Sequence, residues 1–258
     1  MKFDREKTRK DIVIENTIFF AVPVLFILFW QLTGKLNLIN GIIIPTPYKI
    51  LEAFISLLTT GKWWNDFSAS IRRVLLGFFY GTTAGIVIGV LSGLFSKFNK
   101  AIDGIFSILR PIPMIGLVPL MILWFGIGET SKVIVISVGT FWSVLLNTQA
   151  GLASTDRKLL EVAQILEKDN FTILRKIVFS SALPQIFTGV RIGVGNAWKS
   201  VVAAEMLAAT KGIGHLIEYA RELAQPAKMF VGILTIGIVG LLIDFLIRKL
   251  QKILIRWG

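Results

Sequence analysis

From Val74 to Ser96 the chain reads VLLGFFYGTTAGIVIGVLSGLFS, 23 residues without a single charge. A helix of about 20 mostly apolar residues crosses the roughly 30 Å hydrocarbon core of a bilayer, so this stretch predicts a transmembrane helix. Its glycines recur every four residues, at Gly77, Gly81, Gly85, Gly89 and Gly93. Residues four apart share a helix face, and a face without side chains lets another helix approach closely. The repeat therefore predicts a tight packing contact inside the membrane.

Five other apolar segments lie at residues 16–34, 102–128, 133–153, 186–207 and 229–247. The whole chain of 258 residues is 54% hydrophobic and 17% charged, whereas soluble domains carry about 25% charged residues. The segment 102–128 contains Pro111 and Pro113, which remove backbone donors and predict a kinked or unwound middle. The sequence thus predicts an all-α, polytopic transmembrane helix bundle of about six spans.

The distribution of lysine and arginine predicts the orientation of these spans. With a cytoplasmic N-terminus, 16 basic residues fall on the cytoplasmic side and nine on the other, which indicates that both termini are cytoplasmic. The expected units are cytoplasmic basic tails at 1–15 and 248–258, a first helix and extracytoplasmic amphipathic segment at 16–72, and a core at 73–247. No small-residue cleavage site follows the first apolar segment, so we expect a retained anchor. Topology and contact with anionic lipid account for the net charge of +12 without nucleic-acid binding.

Enzymatic chemistry is not expected in this chain. Cysteine is absent and His215 is the only histidine, which leaves no thiol nucleophile, no histidine pair for a metal and no catalytic triad. The only Gly-Lys pair, Gly61-Lys62, lacks the remainder of a phosphate-binding loop. We therefore predict no catalytic residue, no metal site and no cofactor in this chain. If ATP drives the protein, ATP and Mg bind to another chain.

A hydrophilic insertion at 156–181 separates the fourth and fifth spans. Its apolar residues recur at helical spacing, pause at the polar run 167–170 and resume from Phe171, which predicts two short amphipathic helices. Such a unit could lie at the lipid headgroups. It could equally dock into a groove on a cytosolic partner.

Polar residues inside the spans predict a solute path, because charges are costly within a membrane and usually face a cavity or a partner. Arg191, Trp198 and Glu205 are spaced seven apart and so share nearly one helix face. The complete predicted lining is Arg191, Asn196, Trp198 and Lys199 with Glu205, Asn147 and Ser143. Any of these could instead serve helix packing, and Arg191 could anchor the insertion or a lipid phosphate.

The insertion and its surroundings resemble a known family. Glu161-Val162-Ala163, Ile177, Ala182-Leu183-Pro184 and Gly189-Val190-Arg191-Ile192 are similar to the EAA loop of binding-protein-dependent ABC importer permeases. The segments LRPIP at 109–113 and LWFGIGE at 123–129, with the end of the fifth span, resemble the nitrate, sulfonate and taurine branch. The resemblance covers about residues 43–257.

This resemblance implies a type I ABC importer permease fold in a bacterial-type inner membrane. It implies a second permease copy, two cytosolic ATP-binding subunits and an extracytoplasmic solute-binding protein as partners. The implied solute is a small anion such as a sulfonate, taurine or nitrate; a permease for a vitamin precursor and an ion-coupled secondary transporter remain alternatives. The implied ATPase-coupling residues are Leu160, Glu161, Val162, Ala163, Ile165, Leu166, Glu167 and Phe171.

Two positions depart from the family pattern. Glu167 replaces a glycine, and Phe179-Ser180 replaces Leu-Pro. A side chain in left-handed backbone costs about 1–2 kcal/mol. We therefore expect the turn after the first short helix to move to Asp169 or Asn170, which tolerate that conformation better than glutamate does.

Overall fold

The computed structural model describes residues 9–41 and 43–254, so most of the N-terminal tail and the last four residues lie outside the described residues. The described part of the chain contains helices and no strand, which confirms the all-α prediction. Within the ranges 9–41 and 43–254, eleven α-helices follow one another: α1 Arg9–Lys35, α2 Pro47–Thr59, α3 Lys62–Leu94, α4 Ser96–Leu109, α5 Met114–Phe125, α6 Glu129–Ala153, α7 Arg157–Ile165, α8 Asn170–Ile173, α9 Phe179–Ala208, α10 Ile213–Glu222 and α11 Pro226–Leu254.

Four helical stretches within the described residues are long and apolar enough to cross a membrane singly: Lys62–Leu94, Glu129–Ala153, Asn170–Ala208 and Pro226–Gln251. Helices α4 and α5 meet that requirement together, as one broken span. The first predicted span lies within α1, whose described apolar part, Ala21–Lys35, is shorter than a full crossing. Among the described residues, the predicted bundle of about six spans is thus present as four continuous helices and one broken pair, with the first predicted span represented by the shorter apolar part of α1.

The break between α4 and α5 follows from the prolines. Helix α4 ends before Arg110, Pro113 caps α5 with extended backbone (φ −62°, ψ 136°), and the two helices are bent by 102°. Proline has no N–H to donate and disfavours helical backbone in the residue before it, so two prolines within three residues end the helix. The predicted kink is confirmed.

Helix α6 packs along both α3 and α9 in the centre of the bundle. The α3 glycines meet α6 in register: a Cβ added at Gly85 would lie 2.8 Å from Cβ of Val144, and one at Gly89 would lie 2.7 Å from Cβ of Thr148. At the two ends of the glycine repeat, a Cβ added at Gly77 would meet the side chain of Ile136, and one added at Gly93 would meet the side chain of Leu152. Both residue numbers rise together along this contact, so α3 and α6 run parallel and the broken pair α4–α5 returns the chain between them.

Helix α9 runs antiparallel to α6, since Gly189 lies against Asn147 whereas Gly139 lies against Ser200. We call one end of the bundle the α7 end; there α6 ends and α9 begins. The opposite end, where α3 and α6 begin and α9 stops, is the α10 end. There the amphipathic helices α2 and α10 pack with α11 around Ile50, Leu57, Leu216 and Val231.

The second short helix of the insertion is not separate. Helix α8 continues through a π-helical turn, Leu174–Val178, directly into α9, so only α7 stands alone. Because Phe179 and Ser180 replace the Leu-Pro of the family pattern, the chain keeps its backbone donors at this point. The prediction of two projecting short helices is therefore corrected to one helix and an extension of the fifth span.

Candidate functional site

A cavity of about 480 Å³ lies between the α4–α5 break, α6 and α9. Its polar centre is a hydrogen bond of 2.6 Å from Asn196 Nδ2 on α9 to Ser143 Oγ on α6. Lys199, one turn further along α9, is exposed to this space. The remaining lining comes from Arg110, Pro111, Ile112, Pro113, Met114, Ile115, Gly139, Trp142, Ser200 and Ala203. Three predicted path residues, Ser143, Asn196 and Lys199, thus meet at one cavity.

Two other predicted path residues lie towards the α7 end and outside this lining. Asn147 donates to the carbonyl oxygen of Ser143 at 2.8 Å and accepts from Gln185 Nε2 at 3.1 Å. Arg191 donates to Gln251 at 3.3 Å and lies 3.7 Å from Asp244 on α11. The bond between Asn147 and Gln185 joins α6 to α9, and the Arg191 contacts join α9 to α11. Both side chains therefore have packing partners in the structure.

Trp198 and Glu205 are corrections to the predicted lining. Trp198 is buried and donates its indole N–H to the carbonyl oxygen of Ile236 on α11 at 2.9 Å. Glu205 is completely buried. The seven-residue spacing placed them correctly on one face, but that face packs into the protein, whereas Asn196 and Lys199 lie on another side of α9.

Glu205 belongs to a buried ionic cluster at the α10 end. Arg73 Nη1 donates to Glu205 Oε1 at 2.8 Å, and its Nε and Nη2 donate to both oxygens of Glu129 at 2.6 and 2.7 Å. The Ser70 hydroxyl and the Gly214 N–H also donate to Glu205, at 2.8 and 2.9 Å. The cluster joins the beginnings of α3 and α6 to the end of α9.

Sequence reasoning did not identify Arg73 or Glu129 as partners. Arg73 is one of the nine basic residues counted on the non-cytoplasmic side, and Glu129 is the last residue of the segment LWFGIGE. One signal was available, because Arg73 stands four residues before Gly77 and so extends the face that contacts α6. The partner could not be read from that spacing, since Glu205 lies 132 residues further along the chain.

The predicted ATPase-coupling residues lie in α7 and just after it, and most of them are exposed. Ala163 is 4% exposed, so it packs onto the protein and is removed from the predicted docking surface. Ile165 is 80% exposed, and Val162, Leu166 and, in α8, Phe171 are further exposed apolar residues. Glu161 and Glu167 are also exposed, whereas Leu160 is half-buried. The unpartnered surface of α7 is therefore centred on Ile165.

The turn after α7 remains at Glu167, so the expected shift to Asp169 or Asn170 is wrong. Glu167 has φ 50°, its N–H donates to Gln164, and the Lys168 N–H donates back to Ala163 at 3.0 Å. These two bonds satisfy the last carbonyls of α7 in a Schellman arrangement, which requires left-handed backbone at Glu167. Asp169 instead caps α8, and its hydrogen bonds with Thr172 hold the pKa of that carboxyl below its usual range.

Replacing Glu167 with glycine is expected to stabilise α7 by about 1 kcal/mol, because glycine adopts left-handed backbone without the side-chain penalty. Amide hydrogen exchange across residues 157–168 should slow accordingly. Lys168→Gly is the matched control: its backbone lies outside the positive-φ region, so this change should give no protection. Equal exchange in Glu167→Gly and the unmodified protein would show that the turn carries no strain.

No cluster of three or more histidine, cysteine, aspartate or glutamate side chains suited to a metal occurs among residues the structure describes. The polar side chains that line the cavity are two serines, an asparagine, a tryptophan, an arginine and a lysine. Such a set can hold a solute by hydrogen bonds and charge.

Comparison with known proteins gives consistent matches. Residues 81–256 match the family described as binding-protein-dependent transport system inner membrane component. A Bacillus subtilis (strain 168) protein described as an aliphatic sulfonates transport permease is 36% identical over 236 residues, which are 92% of this chain and 86% of that protein. The taurine transport system permease protein of Escherichia coli (strain K12) is 32% identical over 258 residues, covering 98% and 94% of the two chains.

The fold is also similar to solved structures. The MetNI methionine ABC transporter in its inward-facing conformations matches with a TM-score of 0.64 and 19% identity, over 77% of this chain and 96% of that one. At this identity the likeness shows the fold.

Proposed function

Because this chain belongs to the family of binding-protein-dependent transport system inner membrane components, we propose that it is the permease subunit of an ABC importer for a small sulfonate-like anion. The chain is a multi-pass membrane protein. The observation that carries the proposal is the family match over residues 81–256, which includes the cavity and α7. Aliphatic sulfonates and taurine are the solutes named for the two relatives compared above.

ATP hydrolysis belongs to separate subunits in this proposal. The sequence holds no phosphate-binding loop, whereas α7 carries an exposed apolar surface at one end of the spans. An apolar helix face is suited to a groove on a partner protein. Two permease copies bind two ATPase subunits, and closure of the ATPases on ATP and Mg moves the α7 helices and with them the spans.

The α7 end faces the cytoplasm in this arrangement. Helix α11 runs antiparallel to α9, as the contacts of Trp198 with Ile236 and of Arg191 with Gln251 require. The end of α11 therefore lies at the α7 end, together with the basic residues from Arg157 to Lys176. Basic residues gather on the cytoplasmic side. The α10 end then faces outward and receives the solute-binding protein.

The cavity lined by Ser143, Asn196 and Lys199 is the proposed section of the solute path in this subunit. It combines hydrogen-bonding groups with a positive charge and is bounded by the α4–α5 break, where the chain is least constrained by helix geometry. A small sulfonate needs these features. Selection among sulfonates rests largely with the solute-binding protein.

Replacing Ile165 with aspartate is expected to abolish ATPase docking, because a charge would then be buried in the apolar contact. The measurement is affinity purification of the chain from mild detergent, with mass spectrometry of co-purifying subunits. We expect a subunit with a phosphate-binding loop beside the unmodified chain and at least a tenfold loss with Ile165→Asp. Ile165→Leu, the matched control, should retain it. Equal recovery of the ATPase with Ile165→Asp would contradict the docking assignment.

A further inference from the structure

We propose that Arg110 and Lys199 together form an anion-binding site inside the permease, with the Trp142 indole N–H as a third contact. The ligand class is a small oxyanion with one negative charge, a sulfonate above all. The inference rests on the proposed function and deepens it: the permease itself selects for negative charge, after the solute-binding protein has delivered the solute.

Both cations face the same space without a fixed counter-ion. Arg110 and Lys199 line the cavity, and none of its lining residues is acidic. Neither side chain has an ion pair or hydrogen bond to any residue that the structure describes. Uncompensated charges are costly within a membrane and usually face a functional cavity. Two of them at one cavity attract a mobile anion.

One acidic side chain, Asp103, lines a neighbouring cavity that shares residues with this one. Asp103 lines a second, much smaller cavity of about 20 Å³, to which Arg110 and Trp142 also contribute. No ion pair joins Asp103 to Arg110 among the described residues. Arg110 can therefore turn to either cavity, and a bound anion draws its guanidinium to the larger one.

Trp142 supplies an independent sign of a missing partner. Its Nε1 atom is buried and has no hydrogen-bond acceptor among the described residues, and the Trp142 side chain contributes to the lining of both cavities. Buried polar groups in proteins are nearly always paired. A sulfonate oxygen supplies the acceptor that this N–H lacks. The start of α5, at Pro113 to Ile115, borders the same space and adds the positive end of a helix dipole.

The depth of the cavity favours a transported anion over a lipid headgroup. Ser143 lies 14 residues after the start of α6 and 10 before its end, about 21 and 15 Å at 1.5 Å per residue. Its bond to Asn196 fixes the same depth on α9. Phosphate headgroups lie outside the roughly 30 Å hydrocarbon core. A site near mid-span is therefore reached by solute along the path.

Binding of ethanesulfonate to the purified full chain, with any ATPase that co-purifies, tests the site directly. The complex is placed in phosphatidylcholine nanodiscs without solute-binding protein, and binding is measured by equilibrium dialysis of radiolabelled ethanesulfonate and of ethanesulfonamide, its neutral analogue. We expect ethanesulfonate to bind at least tenfold more tightly than the amide. Lys199→Gln and Arg110→Gln should each weaken ethanesulfonate binding at least tenfold and leave the amide unchanged. Lys97→Gln, an exposed lysine at the start of α4, is the control and should bind normally.

Several results would overturn the inference. These are no ethanesulfonate binding by the unmodified protein, equal binding of the neutral amide, or normal binding by both variants. Displacement of ethanesulfonate by phosphatidylglycerol in the nanodisc would show that the anion is a lipid. The proposed function is separately tested by ATP-dependent uptake: normal uptake of ethanesulfonate by Lys199→Gln and Arg110→Gln would reject the anion site alone, whereas no uptake by the unmodified system would reject the function.

Discussion

Replacing Arg73 with leucine is expected to lower the free energy of unfolding by about 3–5 kcal/mol. Arg73 is 5% exposed and holds Glu205, which is completely buried, by a bond of 2.8 Å. Without the guanidinium, Glu205 keeps only its Ser70 and Gly214 donors for a full charge. Breaking a buried pair costs more than the pair contributes, because it leaves an uncompensated charge.

The change is best measured by denaturant unfolding in mild detergent, followed by tryptophan fluorescence. Arg72→Leu is the matched control, since Arg72 is the adjacent arginine and is exposed. It should change stability by less than about 0.5 kcal/mol. The double variant Arg73→Met with Glu205→Gln should regain part of the loss, because it buries no charge. Unfolding of Arg73→Leu at the same denaturant concentration as Arg72→Leu would contradict the buried-pair account.

Replacing Gly85 with leucine is expected to prevent normal assembly of the bundle, at a cost of about 3 kcal/mol or more. A Cβ at this position would lie 2.8 Å from Val144 Cβ and 3.0 Å from the Phe141 carbonyl oxygen. The oxygen belongs to backbone and cannot swing away. Helices α3 and α6 must therefore separate, which also opens the contacts of α6 with α9.

The yield of monodisperse protein after detergent extraction reports this effect, together with the unfolding free energy. Gly237→Leu is the control, since a Cβ at Gly237 in α11 meets no atom within 4 Å. We expect at least a fivefold loss of monodisperse protein for Gly85→Leu and little loss for Gly237→Leu. Similar yields and stabilities would show that the α3 glycines are not held at a close contact.

The spans could be predicted because membrane insertion leaves a local mark: a run of uncharged residues whose length matches the bilayer. The break at Arg110 to Pro113 was likewise local, since proline removes its own hydrogen bond. The four-residue glycine repeat indicated a contact face. It did not identify α6 as the neighbour, because periodicity defines a face and not what packs against it.

The candidate site was only partly predictable for the same reason. Spacing grouped Trp198 with Glu205 correctly, but whether their face points to a cavity or to protein depends on Arg73 and Ile236, which are distant in sequence. The prolines beside Arg110 predict only a broken helix, and the fold was needed to show that Arg110 and Lys199 line one cavity. At Glu167 the two hydrogen bonds that end α7 prevailed over the local preference against left-handed glutamate.

ATP-dependent uptake in proteoliposomes tests the central claim most directly. The chain is reconstituted with the ATPase that co-purifies with it and with a solute-binding protein for sulfonates, and accumulation of radiolabelled taurine and ethanesulfonate is followed. The account predicts uptake that requires the binding protein and ATP on the side of the membrane where the ATPase lies. It also predicts that uptake requires an intact α7 surface and so disappears with Ile165→Asp. Uptake by the chain alone in an ion gradient, without ATP, would contradict it and assign the protein to ion-coupled transport.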